Sequence, residues 1–319
     1  MSMILGNGLS FGSWLRDSRT AGTVRILSGF RSIGKTTLVR AAVKDFASEA
    51  PDEKVVYIDV ESVAYQAMRT AELLWAHIVR TCPKGTFRLV LDEPGLFAEL
   101  VQLLRLVRDS GRCASLLLLC SNAWRFAEIE SEFPVTRYHL RDRRAPVLPD
   151  DEMDATWYKT LVRDILCPNR CMDGAGIWHL ESWLSEHFGE VTSLRKIAGS
   201  ISQYGSRFSH PTVDAYLKAL ANAFLVDRVE CWDVFAGTVS KSGFRLAVNY
   251  PKQLVHCFAV DKAAMAKAIA WNEAYLALRR EHEAVYYPKD GSCDFVTIDD
   301  GRVARWAIWD GRPAPAESF

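Results

Sequence analysis

Gly29-Phe30-Arg31-Ser32-Ile33-Gly34-Lys35-Thr36 is the stretch whose reading decides the fold. It fits G-x-x-x-x-G-K-[ST], the loop that wraps the phosphates of a bound nucleotide. Thr23–Ser28 (TVRILS) reads as a buried strand leading in, and Thr36–Phe46 (TTLVRAAVKDF) as a helix leading out. Gly29 and Gly34 let backbone N–H groups turn inward to form an anion-binding concavity. The helix start adds partial positive charge. Lys35 is placed to reach the β- and γ-phosphates, and the Thr36 hydroxyl to ligate Mg²⁺. The expected nucleotide-binding set is therefore Gly29, Arg31, Ser32, Ile33, Gly34, Lys35, Thr36 and Thr37, with ATP and Mg²⁺ as cofactors.

Asp92 and Glu93 close the apolar run Phe87–Leu91 (FRLVL). Downstream of a phosphate loop, the first acid helps hold Mg²⁺ and the second polarises the attacking water. Ser121-Asn122 closes the next apolar run, where a polar side chain can lie between γ-phosphate and water; Asn122 ranks slightly ahead of Ser121. Arg137, Arg141, Arg143 and Arg144 cluster beyond the last strand. Any of them, Arg141 included, is a candidate arginine finger acting on a neighbouring subunit's nucleotide. Arg31 is a further candidate for a phosphate or interface contact.

The chain of 319 residues is 49% hydrophobic and 24% charged, enough for a sizeable core and two or three domains. Lys+Arg and Asp+Glu balance at 39 each, so nucleic-acid contact would need a local basic patch rather than a global field. The longest apolar run, Leu116–Cys120, suits a buried strand and no membrane span. The first residues, MSMILGNGLSFGSWLRDSR, lack the basic start and long apolar block of a secretory signal. Eight scattered cysteines suggest reduced thiols and a cytoplasmic setting. Cys167 and Cys171 are spaced C-x3-C near His179, without the second close pair a zinc site needs.

Residues 1–145 alternate strand-like and helix-like segments, the pattern of a parallel sheet with helices on both faces. Lys54–Val60, Phe87–Leu91, Ser115–Cys120 and Val135–Leu140 read as strands. Glu61–Cys82 reads as helical, with Leu73, Leu74, Ala76, Ile78 and Val79 as its apolar face, and Leu96–Asp109 as an amphipathic helix. Arg144–Asp151 (RAPVLPDD) reads as a linker. Met153–Ile165 and Ile177–Phe188 look helical. Ser193–Ser202, a turn, Ser209–Phe224 with Ser209 as N-cap, and the strand Leu225–Phe235 follow in the order of a winged helix. Its second helix offers His210, Thr212 and Lys218 against Asp214, while Arg195, Lys196, Arg207, Lys241 and Arg245 are candidate phosphate contacts. The tail reads as a helix, Lys262–Glu281, and three strands: Ala284–Tyr287, Cys293–Ile298 and Val303–Trp309.

The ordered set Gly29–Thr36 with Arg at its third position, LVLDE (Leu89–Glu93) and LLLLCSN (Leu116–Asn122) resembles the AAA+-related P-loop ATPases of bacteria and archaea. The group it is most similar to joins an ATPase domain to a winged helix and a restriction-nuclease-like domain. SLRKIAGSISQYGSRFSHPTVDAYLKALANAFLVDRV is similar to that group's helix-turn-helix, with its T-V-x-x-Y-L core at Thr212–Leu217. In the tail, Glu273 and Asp294 stand where the nuclease fold's first two acids would be. The strand Arg305–Trp309 lacks the E-x-K that should follow, so a degenerate nuclease-like domain is expected. The resemblance implies a P-loop ATPase domain over 1–145, a helical linker and winged helix over 146–260, and the degenerate domain over 261–319. It also implies a Mg²⁺-dependent ATPase acting as a nucleotide-driven switch or small motor, a homo-oligomer, with double-stranded DNA or a protein client as partner and no membrane. The alternative reading is a DNA-binding regulator or mobile-element or defence component that uses ATP as a state signal.

Overall fold

Val24–Ser28 (β1) is a run of five residues with every side chain buried, as a strand in the interior of a parallel sheet must be. In the computed structural model, which describes residues 22–49, 54–140, 150–169, 172–204, 208–282 and 284–316, that strand is one of five in the first of two compact units. The helix Lys35–Glu49 (α1) follows, then Lys54–Asp59 (β2), Ala71–Thr81 (α2), Phe87–Asp92 (β3), Leu100–Asp109 (α3), Cys113–Cys120 (β4), Phe126–Glu130 (α4) and Val135–His139 (β5). All pairings are parallel, in the order β2-β3-β4-β1-β5. The chain leaves β1 for the far edge, returns to β1's flank at β4, then crosses to β5. The carboxyl ends on either side of β1 therefore form the crevice where such sheets bind ligands. On the α1 face, Leu27, Val39, Val90, Leu117 and Leu119 are buried with Tyr57 and Tyr138 packed against them. The alternate positions Val56, Ile58, Leu89, Leu91, Leu116 and Leu118 are buried too, so both faces of the sheet are covered.

The helix expected over Glu61–Cys82 is shorter. Val63–Tyr65 is a 3₁₀ turn, and α2 starts only at Ala71, where the Thr70 side chain accepts from the Leu73 N–H. From that start Ala71, Leu74 and Ile78 form the buried stripe. Leu73 lies off it and is 52% exposed, against expectation.

The second unit spans Val147–Phe319. It begins with Asp150–Thr160 (α5), which passes into a π-helical segment, Leu161–Leu166, where one longer α-helix was expected. Gly174–His187 (α6), Leu194–Ile201 (α7) and His210–Asn222 (α8) follow. Ser193 caps α7 by accepting from Lys196 N–H, and Ser209 caps α8 by accepting from Thr212 N–H, with Pro211 in the first turn. Val226–Asp233 (β6) and Thr238–Val248 (β7) form an antiparallel hairpin. Pro251–Cys257 (α9), Ala266–Glu281 (α10), Ala284–Pro288 (β8), Phe295–Asp299 (β9), Arg302–Trp309 (β10) and an unanticipated Arg312–Pro315 (β11) complete it.

The hairpin is not a free-standing wing. β6 also pairs in parallel with β8, making one six-stranded sheet, β11-β10-β9-β8-β6-β7. The expected boundary between residues 260 and 261 is thus crossed by a continuous sheet. α10 lies on that sheet through Trp271, Ala274, Tyr275 and Leu278, against Val229, Cys231, Val285 and Phe295. The fully buried Asn272 amide donates to Val248 O at 2.6 Å and accepts from Val248 N at 2.7 Å, fixing the helix to β7. No helix among the described residues is long and apolar enough to cross a membrane, and the described cysteines are free thiols.

Glu181, on α6, is the costly residue of this unit. It lies among Trp157, Leu184, Leu220, Leu225 and Leu254. Its Oε2 accepts from Trp157 Nε1 at 3.3 Å and its Oε1 has no hydrogen-bond partner. Burial pushes its carboxyl from 4.5 up to about 8, so the fold holds it protonated while the unfolded chain ionises it. A raised acid binds more protons folded than unfolded, so stability falls as pH climbs from 4.5 to about 8, then levels off. The slope is up to about 1.4 kcal/mol per pH unit. Glu181→Gln should remove that slope: the difference in urea-unfolding free energy between variant and wild type should grow in the variant's favour from pH 5 to pH 8. A difference constant over that range would refute the neutral buried state.

Candidate functional site

The loop between β1 and α1 is shaped by left-handed backbone. Gly29 has φ 155°, Ser32 φ 65° and Gly34 φ 100°. At Gly29 a side chain is excluded outright: a Cβ would sit 2.7 Å from the Leu140 carbonyl oxygen and 3.3 Å from Ile33 Cγ2. Leu140 is held there because its N–H donates to Ser28 O at 2.7 Å, while Gly29 N–H donates to Cys120 O at 3.2 Å. The loop is thereby stitched to the strands on both sides. α1 opens at Lys35, so its first-turn N–H groups, which have no acceptor within the helix, end at the loop. Thr37 lies in that turn and is exposed.

The Lys35 ammonium is buried and donates to Gly29 O at 2.9 Å, Phe30 O at 3.1 Å and Ser121 Oγ at 2.8 Å, with Glu93 Oε1 at 3.7 Å. Glu93 follows β3 in a left-handed conformation, φ 52°, directly before Pro94. That is an unfavourable place for a non-glycine residue and a common one at functional sites. Its carboxylate accepts from the Ser121 N–H at 3.0 Å and from the Ser121 hydroxyl. Arg31, also buried, donates from both terminal nitrogens to Glu61 at 3.0 Å, and stands 3.9 Å from Glu93 Oε2. Two cations and two carboxylates thus share one pocket edge.

Asp92, at the end of β3, accepts on Oδ2 from Thr36 Oγ1 at 2.8 Å and from the Tyr57 hydroxyl. Its Oδ1 is buried and lacks a hydrogen-bond partner among the described residues. Burial raises the Asp92 carboxyl above its ordinary range, against the two hydroxyl donors, which pull it down. Burial also raises the Tyr57 phenol, and the neighbouring carboxylate adds to the shift.

The sequence-derived residues Gly29, Arg31, Ser32, Ile33, Gly34, Lys35, Thr36, Asp92, Glu93 and Ser121 are thus brought together at one sheet edge. Asn122 is buried beside them, and its side-chain oxygen accepts from Trp124 N–H at 2.6 Å within its own turn, while the Ser121 hydroxyl bridges Lys35 and Glu93. Arg141, Arg143 and Arg144 lie outside the described residues, while Arg137 pairs with Glu130 and covers the Phe126 ring. Tyr57 and Glu61 were not anticipated. Among the candidate DNA contacts, Lys218 pairs with Asp214 at 2.7 Å and Lys196 with Glu190 at 3.4 Å. Arg245 stacks over Trp271 and Tyr287, which removes it from that role. Arg207 is outside the described residues, and Arg195 and Lys241 are exposed.

Residues 22–142 match the family model described as an AAA domain. The first unit is an AAA-type domain. Among solved structures, the Walker-type ATPase PABY2304 of Pyrococcus abyssi is 12% identical with a TM-score of 0.44, over 77% of this chain and 94% of that one. PCH-2 of C. elegans is 14% identical with a TM-score of 0.31, over 66% of this chain and 65% of that one. Trip13 of Rhizobiales is 13% identical with a TM-score of 0.27, over 66% and 76%. A search of curated proteins gives no match.

Gly29→Ala should collide with the Leu140 carbonyl and distort the loop. A fluorescent ATP analogue should bind more than tenfold more weakly, and the melting temperature should fall by several degrees, from about 1–3 kcal/mol of strain. Wild-type affinity in the alanine variant would show that the close approach does not shape the loop.

Proposed function

We propose that the chain is a Mg²⁺-dependent ATPase whose turnover acts as a switch or small motor. The observation that supports this most directly is the meeting of Lys35, the Thr36–Asp92 pair and Glu93 at the carboxyl edge of a parallel sheet in an AAA-type domain. The donor set fits Mg²⁺: all-oxygen ligands, with a buried Asp92 Oδ1 lacking a partner and a Thr36 hydroxyl that keeps its lone pairs while donating to Oδ2. Thr36 and Asp92 would hold Mg²⁺, which would supply positive charge against the charge developing on the phosphates. Loop amides and the Lys35 ammonium hold the β- and γ-phosphates. Glu93 takes the proton from the attacking water at a carboxylate oxygen, which requires it to leave the Ser121 N–H and hydroxyl. Ser121, or Asn122, then contacts the γ-phosphate side.

The remaining readings extend this proposal. An arginine finger such as Arg141 implies a homo-oligomer. The helix-turn-helix and hairpin of the second unit suggest a winged helix, and exposed Arg195 and Lys241 leave double-stranded DNA as a partner. The internal pairing of Lys196 and Lys218 favours a protein client instead. In the tail, Asp294 Oδ2 accepts from Ile308 N–H at 2.7 Å, Glu273 is exposed, and no cluster of three His, Cys, Asp or Glu among the described residues suits a metal. A structural, degenerate nuclease-like tail is our reading. Free thiols suit a cytoplasmic setting.

ATP turnover by wild type, Lys35→Ala and Glu93→Gln, with particle size measured with and without ATP, tests the assignment. Lys35→Ala should lose binding. Glu93→Gln should bind ATP and turn over roughly 10²–10⁴-fold more slowly. Equal turnover in all three would overturn the roles. Binding to duplex DNA should show a log–log salt slope that grows with the number of phosphate contacts; a flat response removes DNA.

A further inference from the structure

We infer that Tyr57 is a positioning residue for Asp92, setting how that carboxylate meets a divalent cation; the inference rests on the ATPase reading above. Tyr57 lies on β2 opposite Val90, and Asp59 opposite Asp92. Side chains alternate along a strand, so Tyr57 and Asp92 share a face, two positions apart on adjacent strands. A phenol spans that diagonal and a shorter side chain does not. The Tyr57 hydroxyl donates to Asp92 Oδ2, the same oxygen that receives Thr36 Oγ1 at 2.8 Å. Both hydroxyl protons therefore converge on one carboxylate oxygen, and Oδ1 keeps its acceptor capacity inside the protein. Tyr57 is itself fixed: its ring packs in the apolar cluster with Val39 and Val90, and the Arg40 guanidinium from α1 stands 5.2 Å over it. The helix that carries Thr36 thus also holds the tyrosine that orients Thr36's partner.

Thr36 donates its single proton to Asp92 and keeps its lone pairs for other partners; Tyr57 donates its single proton to the same Oδ2. Without the phenol, Asp92 keeps one donor and gains rotational freedom, so its free oxygen is less well placed for a cation. The nucleotide's own contacts, Lys35 and the loop amides, do not involve Tyr57.

The test is a Mg²⁺ titration of a fluorescent ATP analogue bound to wild type, Tyr57→Phe, Asp92→Asn and the double variant, each also measured in EDTA and melted. Tyr57→Phe should bind the analogue in EDTA within about twofold of wild type, while its half-saturating Mg²⁺ rises about tenfold. At saturating Mg²⁺ its turnover should return to within about threefold of wild type. In the Asp92→Asn background, removing the phenol should add less than twofold, because its acceptor's charge is already gone. Two results overturn the inference alone: a wild-type Mg²⁺ dependence in Tyr57→Phe, or a shift of equal size in both backgrounds. A loss of affinity in EDTA as large as in Mg²⁺ also overturns it, by marking Tyr57 as packing. A wild type whose nucleotide binding ignores Mg²⁺ overturns the ATPase reading and this inference with it.

Discussion

A buried ammonium must be satisfied on every proton, and Lys35 has three acceptors from two parts of the fold: the Gly29 and Phe30 carbonyls after β1, and the Ser121 hydroxyl after β4. With Glu93 after β3 at 3.7 Å, the same charge gathers the ends of three strands. The phosphate loop, Glu93 and the serine are therefore gathered around one cation. A second buried cation, Arg31, pairs with Glu61 and stands 3.9 Å from the same Glu93.

The parts legible in the sequence were those set by local spacing. The strand, glycine-rich loop and helix around Lys35 follow from residue type and order alone, as does the Asp92-Glu93 pair closing an apolar run. Ser209 announces its helix because an N-cap acts on an amide three residues away. What could not be read depends on which strands become neighbours. Tyr57 reaches Asp92 only because β2 lies beside β3, and Glu61 reaches Arg31 only because the chain leaving β2 comes back to the loop after β1. A tyrosine two positions before an acid on a strand beside the Asp92 strand was the signal available. Ser121 and Asn122 are adjacent polar residues closing one apolar run, and only the fold shows the serine hydroxyl between Lys35 and Glu93 while the asparagine's oxygen accepts within its own turn.

In the second unit, burial overrode residue type. Arg245 has the charge of a phosphate contact, yet Trp271 and Tyr287 take its guanidinium by cation–π contact. Glu181 has the charge of a surface residue, yet α6 carries it into an apolar cluster as a neutral acid. Periodicity places a residue on a face but does not say whether that face meets water.

The parallel ladder between β6 and β8 has a consequence for how this chain can be divided. A fragment ending near residue 260 would strip the neighbour from one side of β6 and lay bare a row of unpaired amides and carbonyls, an invitation to aggregation. It would also take away α10, the roof over Val229, Cys231 and Ala247. The β6–β7 hairpin and the tail are therefore not interchangeable cassettes. Whatever load the hairpin bears is spread across a plate that includes the last strands of the protein, and the two have to be kept, lost or engineered as one piece.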